Sequence, residues 1–351
     1  MSDLNVTIPK NAKILVTGAT GFVGSHTVLR LLRGKHKTRV TIRSEEQRNN
    51  ILQVLNDSGV DIESNLEFVI ADLWDDEGWD EAVDGMNYII HHASPFPVTP
   101  PKDENELIIP ARDGTLRVLT AASKAKVSRV VITSSYAAVG YTITPDDHYT
   151  EANWTDSNTF GLPAYHKSKI LAERAAWDFV STHPELELVV INPTGIFGPE
   201  LFDRPSGSIG LISAMLSGNM PAVPIMYFGV VDVRDVVDIH LRAMVHPKAA
   251  GERFLAVSGS SLSLFDASVI LREEFPEFTG LLPSKELTID EVRDGAKTNP
   301  SLRDAAALQG RIPIISNEKA RTILEWSPLD VKDTIIDTAK ALFELGVVNK
   351  V

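Results

Sequence analysis

The chain has 351 residues, 34 basic and 47 acidic side chains, and a formal net charge of −13. That length suits one large domain or two smaller ones with a core of their own, and the acid excess argues against a nucleic-acid partner, whose phosphates are held by clustered Lys and Arg. Hydrophobic residues make up 43% and charged residues 23%, the balance of a globular chain and not of a disordered one.

Cysteine is absent, which removes disulfides, zinc–thiolate sites and thiol nucleophiles and fits a reducing compartment. The N-terminal segment lacks the apolar centre of a signal peptide, and no run of about 18 apolar residues occurs. A soluble cytoplasmic protein without a membrane partner is expected.

Through the first half, short β-branched runs alternate with amphipathic stretches. Strands are expected at 13–17, 39–43, 66–70, 88–91, 129–133 and 187–191, and helices at 24–33, 45–55 and 114–125. This alternation implies βαβ units and a doubly wound parallel sheet. Residues 192–224 are rich in Gly, Pro and Ser and suit a pocket-shaping loop region. Helical spacing returns at 233–245, 264–275, with Asp266 as a candidate cap, and 331–345. The last of these covers core or a partner subunit. A late strand at 253–257 is expected to rejoin the first sheet.

The first strand runs into Gly18-Ala19-Thr20-Gly21-Phe22-Val23-Gly24 and then a helix. Gly18 permits a tight turn, Gly21 lets a pyrophosphate approach the backbone, and Gly24 lets helix and strand pack closely. The helix N-terminus then faces the anion. At the end of the second strand, where an acid would bind the ribose hydroxyl of NAD, stands Arg43, with Arg48 a turn further on. An Arg there matches a 2′-phosphate, so NADP(H) is the expected cofactor.

Tyr165 and Lys169 are spaced i, i+4 at the start of a helical stretch, 165–182, and share one face. A neighbouring ammonium lowers the pKa of a phenol and suits it to proton transfer with a carbonyl oxygen. A Ser hydroxyl at the end of strand 129–133 adds a hydrogen bond to that oxygen; spacing leaves Ser134 and Ser135 equally eligible. No third ligand of fitting spacing accompanies His91 and His92, so no metal is expected. Trp74, Trp79 and Trp154 lie in loop-like acidic stretches and should pack locally. Asp75, Asp76 and Glu77 read as a solvated turn.

Together these pieces resemble the extended short-chain dehydrogenase/reductase superfamily. The likeness is strongest to the branch of plant dihydroflavonol and cinnamoyl-CoA reductases and yeast NADPH-dependent methylglyoxal (3-methylbutanal) reductases. It rests on TGATGFVG, HHASPF (91–96), LIIPARDGT (107–115), VVITSSYAAV (130–139), AYHKSKILAERAAWDF (164–179), NPTGIFGPELFD (192–203) and VVDVRDVVDIHL (230–241), in that order along nearly the whole chain. The resemblance implies a Rossmann-type domain over 1–191, rejoined by about 230–257. It places a smaller, interleaved substrate-binding domain at 192–229 and 258–351.

It further implies that Ser135 polarises a carbonyl, Tyr165 is the general acid, and Lys169 lowers its pKa and holds the nicotinamide ribose. By the same resemblance the cofactor lies along Gly18, Thr20, Gly21, Phe22, Val23 and Gly24, with Asp72 and Leu73 framing adenine. Ala93 and Ser94 line its path, Pro193 and Ile196 lie by the nicotinamide, and Ser208 sits near the phosphates. Residues 231–235 are implied to be structural.

The sequence departs from the family in three places. Asp113 replaces a usual Asn, so a proton relay through that residue is altered or absent. Gly140 and Gly195 replace aromatics of the yeast reductases, which suggests a wider pocket between Phe96 and Tyr136 that admits bulkier ketones or aryl aldehydes.

The expected activity is NADPH-dependent carbonyl reduction of a small-molecule aldehyde or ketone by a monomer or homodimer. The rivals are a nucleotide-sugar epimerase or dehydratase of the same fold and a non-catalytic NADP-sensing protein.

Overall fold

The computed structural model describes residues 7–60, 62, 65–96, 101–203, 207–299, 302–308 and 310–349. Its centre is a sheet of β1 (Lys13–Thr17), β2 (Lys37–Ile42), β3 (Leu66–Ile70), β4 (Tyr88–His91), β5 (Arg129–Thr133), β6 (Glu187–Pro193) and β7 (Arg253–Ala256). The seven strands run in the order β7-β6-β5-β4-β1-β2-β3, and every pairing is parallel. Parallel strands need cover on both faces, which is why Val130, Val131, Val189 and Val190 are all fully buried. The strand order reverses between β1 and β4, and their carboxyl ends open the crevice where such sheets bind ligands. The late strand joins the sheet edge, as the sequence suggested, in register with Val190–Pro193.

The helices are α1 (Phe22–Arg33), α2 (Glu45–Asp57), α3 (Trp79–Val83), α4 (Asn105–Lys124), α5 (Ala164–Ser181), α6 (Gly207–Leu216), α7 (Val233–Val245), α8 (Leu264–Glu274), α9 (Ile289–Gly295), α10 (Arg303–Leu308), α11 (Glu318–Leu324) and α12 (Val331–Glu344). One face of the sheet packs on α1, α2, α7 and α11, with Leu31, Leu55, Ile239 and Trp326 in the shared core. The other packs on α3, α4 and α5 through residues such as Trp79, Leu119 and Ala176. A separate core gathers Phe197, Ile212, Met215, Leu264, Phe278, Ile335 and Leu342. There α12 covers core formed with α6 and α8. Residues 230–232 pair with 195–197, and Asp232 caps α7 by accepting from Arg234 N (2.8 Å), which ties this core to the sheet.

Several elements differ from the sequence expectation. Helix α4 begins at Asn105, well before Gly114, because Pro110 is tolerated inside it. A Cβ at Gly114 would lie 2.7 Å from that of Leu73, so this glycine serves close packing and not helix initiation. Strand β2 ends at Ile42, leaving Arg43 in the turn, where its N–H donates to Gln47 Oε1 (2.8 Å). Ser263, not Asp266, is the N-cap of α8; Asp266 completes the capping box from the third position. Trp79 is 3% exposed within α3, and Trp154 lies under the guanidinium carbons of Arg253 (3.8 Å) and Arg174 (4.5 Å). Trp74 does not pack locally: it stands in the turn closed by Asp75 N–H on the Asp72 carbonyl (3.2 Å), which leaves it 59% exposed. Among the described residues no helix is long and apolar enough to cross a membrane.

Candidate active site

A cleft of about 520 Å³ opens at the carboxyl ends of β1, β4, β5 and β6. Its floor is the turn from β1 to α1. Gly18 has φ +70°, a left-handed conformation that favours glycine, and a Cβ there would meet Ala93 N at 2.8 Å. A Cβ on Gly24 would lie 2.0 Å from the Gly18 carbonyl oxygen. Gly21 is the N-cap of α1 and offers no side chain to cap it, so the first-turn N–H groups face the cleft beside Gly21, Phe22 and Val23. Such a cradle fits a pyrophosphate.

The structure brings Gly18, Gly21, Phe22, Val23, Gly24, Ser94, Phe96, Ser135, Tyr136, Gly140, Tyr165, Lys169, Pro193, Gly195, Ile196 and Ser208 together around this one cleft. Ser208 donates its hydroxyl to the Ile196 carbonyl and so joins α6 to the strand below it. Thr20, Arg43, Arg48, Asp72, Leu73 and Ala93 lie outside the lining. Ala93 N–H donates to Thr17 Oγ1 (3.1 Å) under the glycine turn. Arg43 is exposed at the end of β2, and among the described residues no carboxylate pairs with its guanidinium. Arg48 lies 5.2 Å from the Phe68 ring centroid and 3.4 Å from Glu45. Asp72 accepts from Trp74 N, and its carbonyl accepts from the Trp79 indole.

Geometry separates the two serines that spacing could not. Ser134 Oγ donates to the buried carboxylate of Glu173 (2.5 Å). Ser135 turns the other way: its Oγ caps a short turn by accepting from Ala137 N (3.1 Å), on the side of Tyr165, whose phenol it favours in the ionised form. Tyr165 and Lys169 share a face of α5, with the ammonium 5.9 Å from the ring centroid. Burial pushes the Tyr165 phenol above its ordinary value, and Ser135 opposes that. Burial also pushes Lys169 down to about 8, against the pull of Glu173. Desolvation therefore dominates at Tyr165, where the sequence had suggested a phenol lowered by its ammonium neighbour.

At both family-departing glycines the space beside the backbone is already occupied. The Tyr136 ring already lies over Gly140, where a Cβ would come within 2.0 Å of its Cζ. At Gly195 a Cβ would meet the Gly229 carbonyl and the Phe197 ring at 3.1 Å each. Aromatic neighbours fill the space that each missing side chain leaves. The cleft walls that the sequence did not suggest include Tyr141, Tyr149, His166, Met226, Phe228 and Arg311. Of these only His166, beside Tyr165, lay within a motif.

The two adjacent histidines take separate partners. His91 bonds Thr17 Oγ1 (2.8 Å), while His92 bonds Thr133 Oγ1 (2.6 Å) and Thr27 Oγ1 (2.9 Å). Thr133 also bonds His240 (2.7 Å), and burial holds His91 and His240 neutral, near 3 and 4. Among the described residues no group of His, Cys, Asp and Glu is arranged to hold a metal ion. Asp113 is half-buried and pairs with Arg112 Nε (2.6 Å), its neighbour on α4.

Residues 14–256 match the profile of the NAD dependent epimerase/dehydratase family. The chain belongs to that family. Within it, the chain is 30% identical to the NADPH-dependent methylglyoxal reductase of Saccharomyces cerevisiae, over 94% of this chain and 98% of that one. It is 33% identical to the dihydroflavonol 4-reductase of Dianthus caryophyllus, over 78% of this chain and 75% of that one. Its fold matches the crystal structure of the yeast methylglyoxal/isovaleraldehyde reductase complexed with NADPH, with a TM-score of 0.79, 27% identity and 95% and 99% of the two chains covered. This is the extended short-chain dehydrogenase/reductase type that the motif order resembles.

Proposed function

We propose that the protein is an NADPH-dependent reductase that converts an aldehyde or ketone to an alcohol. The observation that carries this is the convergence of Ser135, Tyr165 and Lys169 on the cleft floored by the glycine turn. The NADPH-dependent activity named for the yeast relative, similar over almost its whole length, supports it. The sheet domain holds the cofactor, and the second core supplies the far wall through Leu211, Met226 and Phe228.

When bound, NADPH supplies a hydride to the carbonyl carbon. The protein manages the oxygen. Ser135 Oγ donates a hydrogen bond to it, and Tyr165 transfers its phenolic proton as negative charge develops there. Raised by burial, the phenol holds that proton until the oxygen becomes basic. The Lys169 ammonium stabilises the phenolate left behind. Arg43, exposed and with no carboxylate partner among the described residues, would meet the 2′-phosphate. The aromatic walls suit flat, apolar carbonyl compounds, with room set by Tyr136, Tyr149 and Phe228 and not by the glycines.

Cofactor consumption with methylglyoxal, isovaleraldehyde and an aryl ketone tests the proposal, using NADPH and NADH in parallel. Turnover with NADPH is expected, and Arg43→Ala should weaken NADPH binding by about tenfold or more, the worth of a charge-assisted hydrogen bond, while leaving NADH use unchanged. Protein that purifies with stoichiometric NAD and consumes neither cofactor would favour an epimerase or dehydratase instead.

A further inference from the structure

Directly behind the cleft lies a polar cluster in the core. The Glu173 carboxylate, 1% exposed on α5, accepts from four side chains. They are Ser134 Oγ (2.5 Å), Asn192 Nδ2 (2.8 Å), Arg253 Nε (2.5 Å) and Trp177 Nε1 (3.3 Å). These donors come from the end of β5, from β6, from β7 and from α5 itself. Asn192 Nδ2 also donates to the Ser135 carbonyl (3.1 Å), so the same cluster holds the backbone of the residue that faces the substrate. Arg253 is fixed in turn by the carbonyls of Glu151 (2.7 Å) and Asn153 (2.9 Å) and by the Trp154 face.

A buried ion pair such as Glu173–Arg253 is expensive, and apolar residues in place of both partners would often serve stability as well. Glu173 stands one turn beyond Lys169, and i, i+4 residues share a helix face. Lys169 is itself 8% exposed, and desolvation works against its charge. The other titratable groups facing it are Tyr165 on the same helix and His91 and His92 at the end of β4, whose imidazoles are held neutral by burial. Glu173 is therefore the carboxylate that acts on it, shared with Arg253.

We propose that Glu173 is a positioning residue for this site: its buried carboxylate keeps Lys169 an ammonium and pins the strand end that presents Ser135. The inference rests on the reductase reading for its purpose, but its physical content is separate. Without the negative charge, no carboxylate among the described residues offsets the desolvation of the Lys169 ammonium. The ammonium then gives up its proton at lower pH.

The test follows Lys169 directly by NMR titration of protein labelled with 13Cε-lysine, the resonance assigned through Lys169→Arg. In Glu173→Gln the Lys169 titration should move to lower pH by about one unit or more, the scale of a nearby opposite charge. Glu173→Asp keeps the charge but draws it back by one methylene, and should give a smaller shift in the same direction; it decides the matter if the Gln variant does not fold. Trp177→Phe removes a donor and no charge, and should leave the titration in place. An unmoved Lys169 in the Gln variant, or in the Asp variant where only that one folds, would overturn the proposal. The alkaline limb of kcat should move with the titration. A shifted Lys169 with no change in that limb would leave Glu173 coupled to Lys169 and count against the reductase reading alone.

Discussion

Ser134 and Ser135 are chemically identical neighbours, and what faces them across the fold gives them different work. Ser134 meets Glu173, and Ser135 meets Tyr165. No local pattern carries that distinction, because Glu173 arrives from a helix far along the chain. Gly140 shows the same limit. A missing side chain suggested space, yet the Tyr136 ring occupies it. Gly140→Ala would push that ring toward the cleft, since a Cβ there lies 2.0 Å from Tyr136 Cζ. We expect kcat/KM for an aryl ketone to fall by about tenfold, the usual worth of a lost pocket contact, with isovaleraldehyde much less affected. Equal effects on both substrates would show that Tyr136 does not limit substrate size.

At the scale of elements, the β1 turn and α1 were legible because the whole signal is local: a strand, three spaced glycines and a helix. The pairing of residues 195–197 with 230–232 was not, since neither run is long enough to declare itself without its partner. Helix α4 starts well before the expected 114, at Asn105; burial against Leu73 and α5 overrides the low helix propensity of Pro110 and Gly114. The glycine turn also gives the sharpest prediction at this scale. Gly24→Ala places a methyl 2.0 Å from a backbone oxygen that no rotamer change can move. A loss of about 1–3 kcal/mol of stability is expected, the range for overpacking. It should appear as a lower thermal midpoint, together with weaker NADPH binding in a fluorescence titration.

For the whole molecule, the sheet and its two covering layers follow from the alternation of strands and helices, and the separate second core was legible only as a change of texture after residue 191. The charge of −13 says little about stability, which turns on buried groups. His26, His166 and His240 are held near 4 and His91 near 3 by burial, below the ordinary value of 6.5. Over that window the unfolded chain binds protons that the fold refuses, so these residues make stability fall as pH falls from 6.5. Glu200 and Asp235, raised by burial to about 7, act oppositely: the fold keeps protons that the unfolded chain has lost, and their contribution fades as pH rises toward 7. The histidines outnumber them. The thermal midpoint should therefore be lower at about pH 5 than at about pH 7, and a midpoint that rises on acidification would show that the carboxyl groups dominate.

The central claim is that Tyr165 delivers the proton in a carbonyl reduction. Tyr165→Phe tests it with one measurement, NADPH consumption with an aryl ketone beside NADPH affinity in the same sample. Removing the hydroxyl should reduce turnover by about 100-fold or more, the scale of a general acid, while NADPH still binds. Turnover retained in the Phe variant would contradict the claim.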